Sequence, residues 1–284
     1  MICPRVLKSC FDSESSVLDV DMAQSRSFLW SSRPKVSVVM PSVGRPSAKE
    51  AINSVLNQSV QDVELIVIVD PWTDEEAADK MPMPEDERVR VIRPKQMKHC
   101  PEYLPARIAR LRNYGVALAT GRYIAHLDDD NWWSETHLAD LCVLLDEQPQ
   151  LGFAYCWRTL VDSRGAKVAL YTYPWSTRFE NRASVFAAFV QYGMAVPGQP
   201  FLRDAVIAGA GDEIFHVDTS ELCLRREVQS TFCFREQFTL RQMIEGYGED
   251  RALCEDLYRG GVRWACSEHY TLFYRLGGYS NADS

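Results

Sequence analysis

Asp128, Asp129 and Asp130 stand side by side directly after the apolar run Tyr123–Leu127. Adjacent carboxylates repel one another and lose hydration when a buried strand delivers them to its end, unless something positive joins them. Mg²⁺ or Mn²⁺ suits such hard oxygen ligands and commonly shares them with substrate phosphates. The same residues also read as a solvated turn capping a helix that starts near Ser134, and the cluster alone leaves both readings open. Asp70 ends a second apolar run. Its carboxylate can accept a hydrogen bond from uracil or thymine N3–H or from guanine N1–H, which adenine lacks, and it can equally serve a turn. Glu249 and Asp250 follow Gly248 at the start of a predicted helix, where an anion is favoured. A carboxylate there can take a proton from a hydroxyl or simply cap the helix.

Arg107, Arg110 and Arg112 fall on one predicted helix. Arg112 is placed to reach a diphosphate, whose oxygens guanidinium fits, while Arg107 and Arg110 read as a solvated face. Trp132, Trp133, Trp157, Tyr173 and Trp175 read as core or cleft wall, with stacking on a sugar ring as the alternative. His126 reads as a packed strand residue. His216 and His269 have no partner at helical spacing, which does not support zinc.

The elements that must position these groups alternate. Lys35–Pro41 is a short β-branched run and predicts a buried strand; Ser47–Gln58 has helical spacing, with Ser47 and Glu50 as a capping box. Val63–Val69 predicts a second strand, so the opening is a βαβ unit with a parallel sheet. A loop over 71–87, a strand over Arg88–Ile92, a helix over Pro105–Thr120 and a strand over Tyr123–Leu127 follow. Glu135–Glu147 predicts a helix; Phe153–Asp162 and Lys167–Tyr173 predict a strand pair turning at Ser163-Arg164-Gly165. Ala183–Tyr192 and Glu249–Arg259 read as helices, and Glu221–Arg225, Val262–Ala265 and Tyr270–Tyr274 as strands. Residues 1–33 read as an extension with a short helix near Ser16–Ala23.

Composition narrows the class. The chain has 284 residues, 46% of them hydrophobic, enough for one large α/β domain. A formal charge of -8 argues against general nucleic-acid binding. Nine scattered cysteines without a CxxC pair argue against a structural zinc site and predict mostly free thiols in a reducing compartment. No apolar run reaches the roughly 20 residues that span a bilayer, so a cytoplasmic protein is expected, with peripheral membrane contact left open.

The order of these motifs resembles glycosyltransferase family 2, with the GT-A fold. The resemblance runs through Val36–Pro41 and Arg45-Pro46, Ala51–Ser59, Glu64–Asp70 with Thr73-Asp74, Arg112–Gly115, Ala119–Ile124, Leu127–Asn131, Ser220–Arg226 and Gly248–Asp250 with Leu253 and Asp256-Leu257. It implies an inverting transfer of a sugar from a UDP, dTDP or GDP sugar to a hydroxyl of a glycan, a lipid-linked or a small-molecule acceptor. It implies a donor site of Pro41, Ser42, Arg45, Asp70, Arg112, Asp128 and Asp129, a Mn²⁺ or Mg²⁺ site of Asp130 and Asp128, and Asp250 as general base with Glu249 beside it. Residues 34–173 would form the donor half and 174–284 the acceptor half. Val43-Gly44 and Pro71-Trp72 depart from the family pattern, and Tyr274-Arg275-Leu276-Gly277 lacks its late histidine, for which His269 is a weak substitute. Two other readings compete. A nucleotidyltransferase needs a Gly-rich basic loop after the first strand, which Pro41–Pro46 supplies poorly. A catalytically silent GT-A sugar-binding or scaffold module would be expected to lose the acidic residues, which are present.

Overall fold

The computed structural model describes residues 33–73, 84–94, 100–175, 181–207 and 214–277. The expected extension, apart from Arg33, lies outside these residues, as does Asp74. Strands β1 (Val36–Ser42) and β2 (Val63–Val69) are buried along their whole length and pair in parallel, with helix α1 (Ala48–Leu56) between them. Runs apolar on both faces are what a doubly covered parallel sheet requires. β3 (Val89–Ile92) extends the sheet beyond β2, and β4 (Tyr123–His126) pairs with β1 on its other side after helix α2 (Leu104–Leu118).

The sheet then continues through both halves of the chain. β5 (Trp132–Trp133), helix α3 (His137–Glu147) and β6 (Phe153–Val161) are followed by helix α4 (Arg182–Gln191) and the short strands β7 (Phe201–Leu202), β8 (Ala205–Ile207) and β9 (Ile214–His216). After a 3₁₀ turn at Thr219–Glu221 come β10 (Leu222–Arg225), helices α5 (Arg226–Thr231), α6 (Leu240–Ile244) and α7 (Glu249–Arg259), and β11 (Trp264–Arg275). The strand order is β3-β2-β1-β4-β10-β6-β11-β5, with β7 on the side of β6 and β8 paired with β9 apart from the sheet. β10 runs antiparallel to both β4 and β6, while β6 and β11 are parallel. The seven described cysteines are free, and no described helix is long and apolar enough to cross a membrane.

Three sequence expectations change. Ser47 does not cap α1: its backbone is already helical, and Glu50 instead pairs with Arg275 at 2.5 Å. Lys167–Tyr173 forms no strand, only a bridge from Lys167 to Val161, because β7 pairs with β6 at Arg158 and Thr159. Val262–Ala265 and Tyr270–Tyr274 fall mostly within one strand, β11, whose register slips between Cys266 and Tyr270 around Glu268 at φ 59°. A bulge keeps a strand continuous while re-aiming its side chains, which sequence alternation cannot signal.

α2 lies close on the sheet at Gly115, where an added Cβ would sit 2.4 Å from Val39 Cγ1. Gly115→Ala is expected to destabilise the fold by about 1–3 kcal/mol through overpacking. A urea midpoint unchanged from the parent would contradict that close approach.

Candidate active site

The carboxyl ends of β1, β2 and β4 bring Ser42, Asp70 and Asp128–Asp130 to one edge of the sheet, where open α/β folds bind ligands. Within the acidic turn the three carboxylates do different things. Asp129 turns inward and accepts hydrogen bonds from Ser42 Oγ at 2.8 Å, Val43 N at 3.0 Å and Arg45 Nη1 at 2.9 Å. Both of its oxygens therefore hold the loop after Pro41 rather than face the cleft. Asp128 accepts from Arg112 Nη2 at 2.6 Å and faces Ser220 Oγ at 3.4 Å. Asp130 lies 2.8 Å from Arg45 Nη1, and burial, with Asp128 adding, pushes its carboxyl up to about 7 although Arg45 opposes.

Arg112 was expected to meet a diphosphate. Its side chain is only 1% exposed and sits behind the turn, pairing with Asp128 and reaching Glu249 at 3.7 Å. Arg107, read as a solvated residue, is 20% exposed and pairs with Asp70 at 2.7 Å, its guanidinium 5.2 Å from the Trp72 ring. Asp70 also accepts from Trp72 N at 2.9 Å, so the base-edge candidate is buried and already partnered. Arg110 pairs with Glu236 at 2.8 Å, away from these groups.

Across the cleft, Gly248 starts α7 and places Glu249 and Asp250 in its first turn. Glu249 is buried, and burial with Asp250 adding pushes its carboxyl up to about 8 against the pull of Arg112. The last strand braces the same turn: Arg275 donates from N to Asn131 Oδ1 and from Nε to the Asp130 carbonyl, both at 3.0 Å. His126 is fully buried and near Gln229 at 3.0 Å, so the expectation of a packed strand residue holds, and burial lowers its pKa to about 3. His269 pairs with Asp140 of α3 at 2.9 Å rather than with the acidic turn.

Sequence reading missed a second charged cluster. Arg158 of β6 is 2% exposed and lies 2.7 Å from Asp204, 2.9 Å from Asp218 and 3.9 Å from Glu221. Trp175 and Tyr274 approach its guanidinium at 4.6 and 4.8 Å, so these aromatics belong to an ionic site rather than to plain core. Burial lifts Asp218 to about 6; Arg158 opposes, while Asp128 and Asp250 add, which joins this cluster electrostatically to the acidic turn and α7. The available signal was Asp218 three residues before Glu221, a capping box that the structure forms.

Among the described residues no group of three or more His, Cys, Asp or Glu is arranged to hold a metal ion. Asp128 and Asp130 nevertheless offer hard carboxylate oxygens, side by side at the carboxyl end of β4, of the kind a divalent cation shares with a diphosphate.

The chain belongs to glycosyl transferase family 2, whose sequence model matches residues 37–207, more than half its length. It is 26% identical over 135 residues to an uncharacterized glycosyltransferase of Methanocaldococcus jannaschii, MJ1057, covering 47% of this chain and 44% of that protein. It is 35% identical over 109 residues to the putative teichuronic acid biosynthesis glycosyltransferase TuaG of Bacillus subtilis, covering 37% of this chain and 40% of that one. These matches thus span less than half the length of either relative. TarS 1-349 of S. aureus, in complex with UDP-GlcNAc, superposes at a TM-score of 0.51 with 16% identity over 88% of this chain and 61% of its own. The mannosyltransferase PcManGT from Pyrobaculum calidifontis, in complex with GDP-Man and Mn²⁺, gives 0.51 with 12% identity over 88% and 59%. At such identities the likeness is one of fold, and the fold is the expected GT-A arrangement.

The elevated carboxyl of Glu249 has a signed consequence. Its ordinary value is 4.5, so as pH rises from there towards 8 the unfolded chain ionises while the native one keeps its proton. Native stability therefore falls across that window. Glu249→Gln should flatten the decline without abolishing it, because Asp130 titrates with the same sign near 7. Urea midpoints measured between these pH values without divalent metal would test this; a parent protein whose stability rises with pH would contradict the assignment.

Proposed function

We propose that the protein is a metal-dependent, inverting glycosyltransferase that moves a sugar from a nucleoside-diphosphate donor to an acceptor hydroxyl in glycan or polysaccharide assembly. The observation that carries this reading is the buried Arg112, which ties the donor-side carboxylate Asp128 to Glu249 at the start of α7. Two functional edges are thereby fixed across one cleft. The biosynthetic setting draws on TuaG, whose name places that relative in teichuronic acid biosynthesis.

Asp70 accepts the imino hydrogen of a uracil, thymine or guanine base with a lone pair left over from its bonds to Arg107 and Trp72. Arg107 offers the same base edge a donor. Asp128 and Asp130 hold Mn²⁺ or Mg²⁺, which when bound offsets the charge growing on the leaving diphosphate. Arg45 lies between Asp129 and Asp130 and can follow the diphosphate as it enters. Asp250, exposed enough at the helix start to meet an acceptor, takes the hydroxyl proton. The acceptor oxygen then bonds to the anomeric carbon from the face opposite the diphosphate, whose C–O bond breaks with its electrons, and the configuration inverts. Glu249, holding its proton to about 8, limits the repulsion that a second anion would impose on Asp250.

Calorimetry with UDP, GDP, dTDP, CDP and ADP tests the donor side. Binding of a uracil, thymine or guanine diphosphate should strengthen with Mn²⁺, and Asp130→Ala should lose that metal effect. No nucleotide binding by the folded protein would sink the reading in favour of a silent module. On the acceptor side, Asp250→Asn should retain donor affinity and lower the transfer rate about 10²–10⁴-fold. Undiminished transfer would remove Asp250 as the base.

A further inference from the structure

Outside the acidic cleft, on the outer side of the Arg158 cluster, lies a cavity of about 280 Å³ whose lining includes Val196, Gln199, Phe201, Arg203 and Tyr270. It is built by the segment between α4 and β7, by β7 with the adjoining Arg203, and by Tyr270 of β11. Phe201 and Tyr270 meet at 4.7 Å between ring centroids, and Tyr270 meets Trp157 at 5.2 Å, so three half-buried rings form a continuous surface. Arg203 donates from Nε to Tyr270 Oη at 2.7 Å with its guanidinium 5.5 Å from Trp157, and Lys167 Nζ stands 5.7 Å from the Phe201 ring. No acidic side chain lines the cavity, although the chain carries a net charge of -8. The neighbouring Asp204 is turned inward onto Arg158.

We propose that this cavity binds one anionic sugar ring, carboxylate- or phosphate-bearing, of an acceptor glycan. A pyranose has a flat C–H face that aromatic surface complements and an edge of hydroxyls that suits a planar guanidinium and an amide. The volume, near the roughly 300 Å³ lower end of small-ligand pockets, accommodates a single ring rather than a chain. Arg203, which lines the cavity, selects the charge, with Lys167 near the Phe201 ring adding to it. The surface continues past the cavity: Tyr171 is 74% exposed with its hydroxyl 3.2 Å from where a Cβ on Gly198 would lie, and Tyr192 and Val196 are each 44% exposed. Further rings of the same glycan have apolar surface to follow. The two residues after β7 connect the sites, since Arg203 lines the cavity while Asp204 pairs with Arg158, which also pairs with the Asp218 that feels the charges of Asp128 and Asp250.

The inference rests on the glycosyltransferase reading for its choice of a glycan, and its test separates the two. Tetragalacturonate, glucose 6-phosphate and neutral maltotetraose are titrated into the whole chain by saturation-transfer NMR, with UDP binding followed in parallel. At least one anionic probe should bind about tenfold more tightly than maltotetraose, the scale of one charge-assisted hydrogen bond. Whichever anionic probe binds identifies the carboxylate or the phosphate source. Arg203→Gln and Phe201→Ala should each weaken that binding by about the same factor while leaving UDP affinity intact. A protein that binds UDP but neither anionic probe overturns the cavity assignment and spares the donor reading. Equal binding of neutral and anionic probes, or binding indifferent to both substitutions, also overturns it. Anionic-sugar binding lost in the variants while the parent binds no nucleotide would uphold the cavity and sink the donor reading.

Discussion

Arg112 occupies the middle of an amphipathic helix and yet is almost wholly removed from water. A buried guanidinium is tolerated only where anions surround it, and here they come from two distant parts of the chain, the turn after β4 and the first turn of α7. The dependence is mutual. Asp128 needs a cation behind it because Asp129 and Asp130 are its neighbours, and Glu249 shares its helix turn with Asp250. Removing the guanidinium would leave carboxylates facing one another in a poorly hydrated cleft. The position of α7 relative to the sheet is thus bound up with this one residue.

The same logic recurs around the site. Arg45 draws Asp129 and Asp130 towards the β1 loop, Arg107 neutralises Asp70, Arg158 gathers Asp204, Asp218 and Glu221, and Arg275 grips the backbone of the acidic turn. A cleft with this many acidic residues needs counter-charge, and the fold supplies it with arginines rather than with water. Arginine suits the task because its planar fork meets several oxygens at once without losing its charge.

The sequence was most legible where one residue type has one physical use. The buried runs at Val36–Met40 and Val63–Val69, the helix over Pro105–Thr120 and the acidic turn after Leu127 are local patterns, and the structure contains each with small shifts of boundary. The roles of Arg107 and Arg112 were not legible, because helical spacing tells which face a residue shares but not what stands opposite. Asp129 illustrates the limit: three identical neighbours diverge in use because the pleat and turn send the middle one back towards Ser42. Arg158 was invisible for a related reason. Its partners lie 46 to 63 positions away, and nothing near it in the chain announces a carboxylate. The bulge in β11 likewise arises from how two strands match in length, a property of the pair.

Arg275 closes contacts with Glu50 and with the Asp130 carbonyl across separations of 225 and 145 residues. On a chain that emerges from its N-terminus, the acidic turn and the first helix therefore exist long before the residue that clasps them. β6 also waits for β11, its parallel partner, whose Trp264 pairs with Phe153 from 111 positions further along the chain. Contacts this distant carry a loop-closure cost that local helices do not, and they slow the last stage of folding. Until β11 docks, the acidic turn lacks the clasp of Arg275 on the Asp130 carbonyl and Asn131, so a nascent chain holds the pieces of the cleft but not the cleft itself.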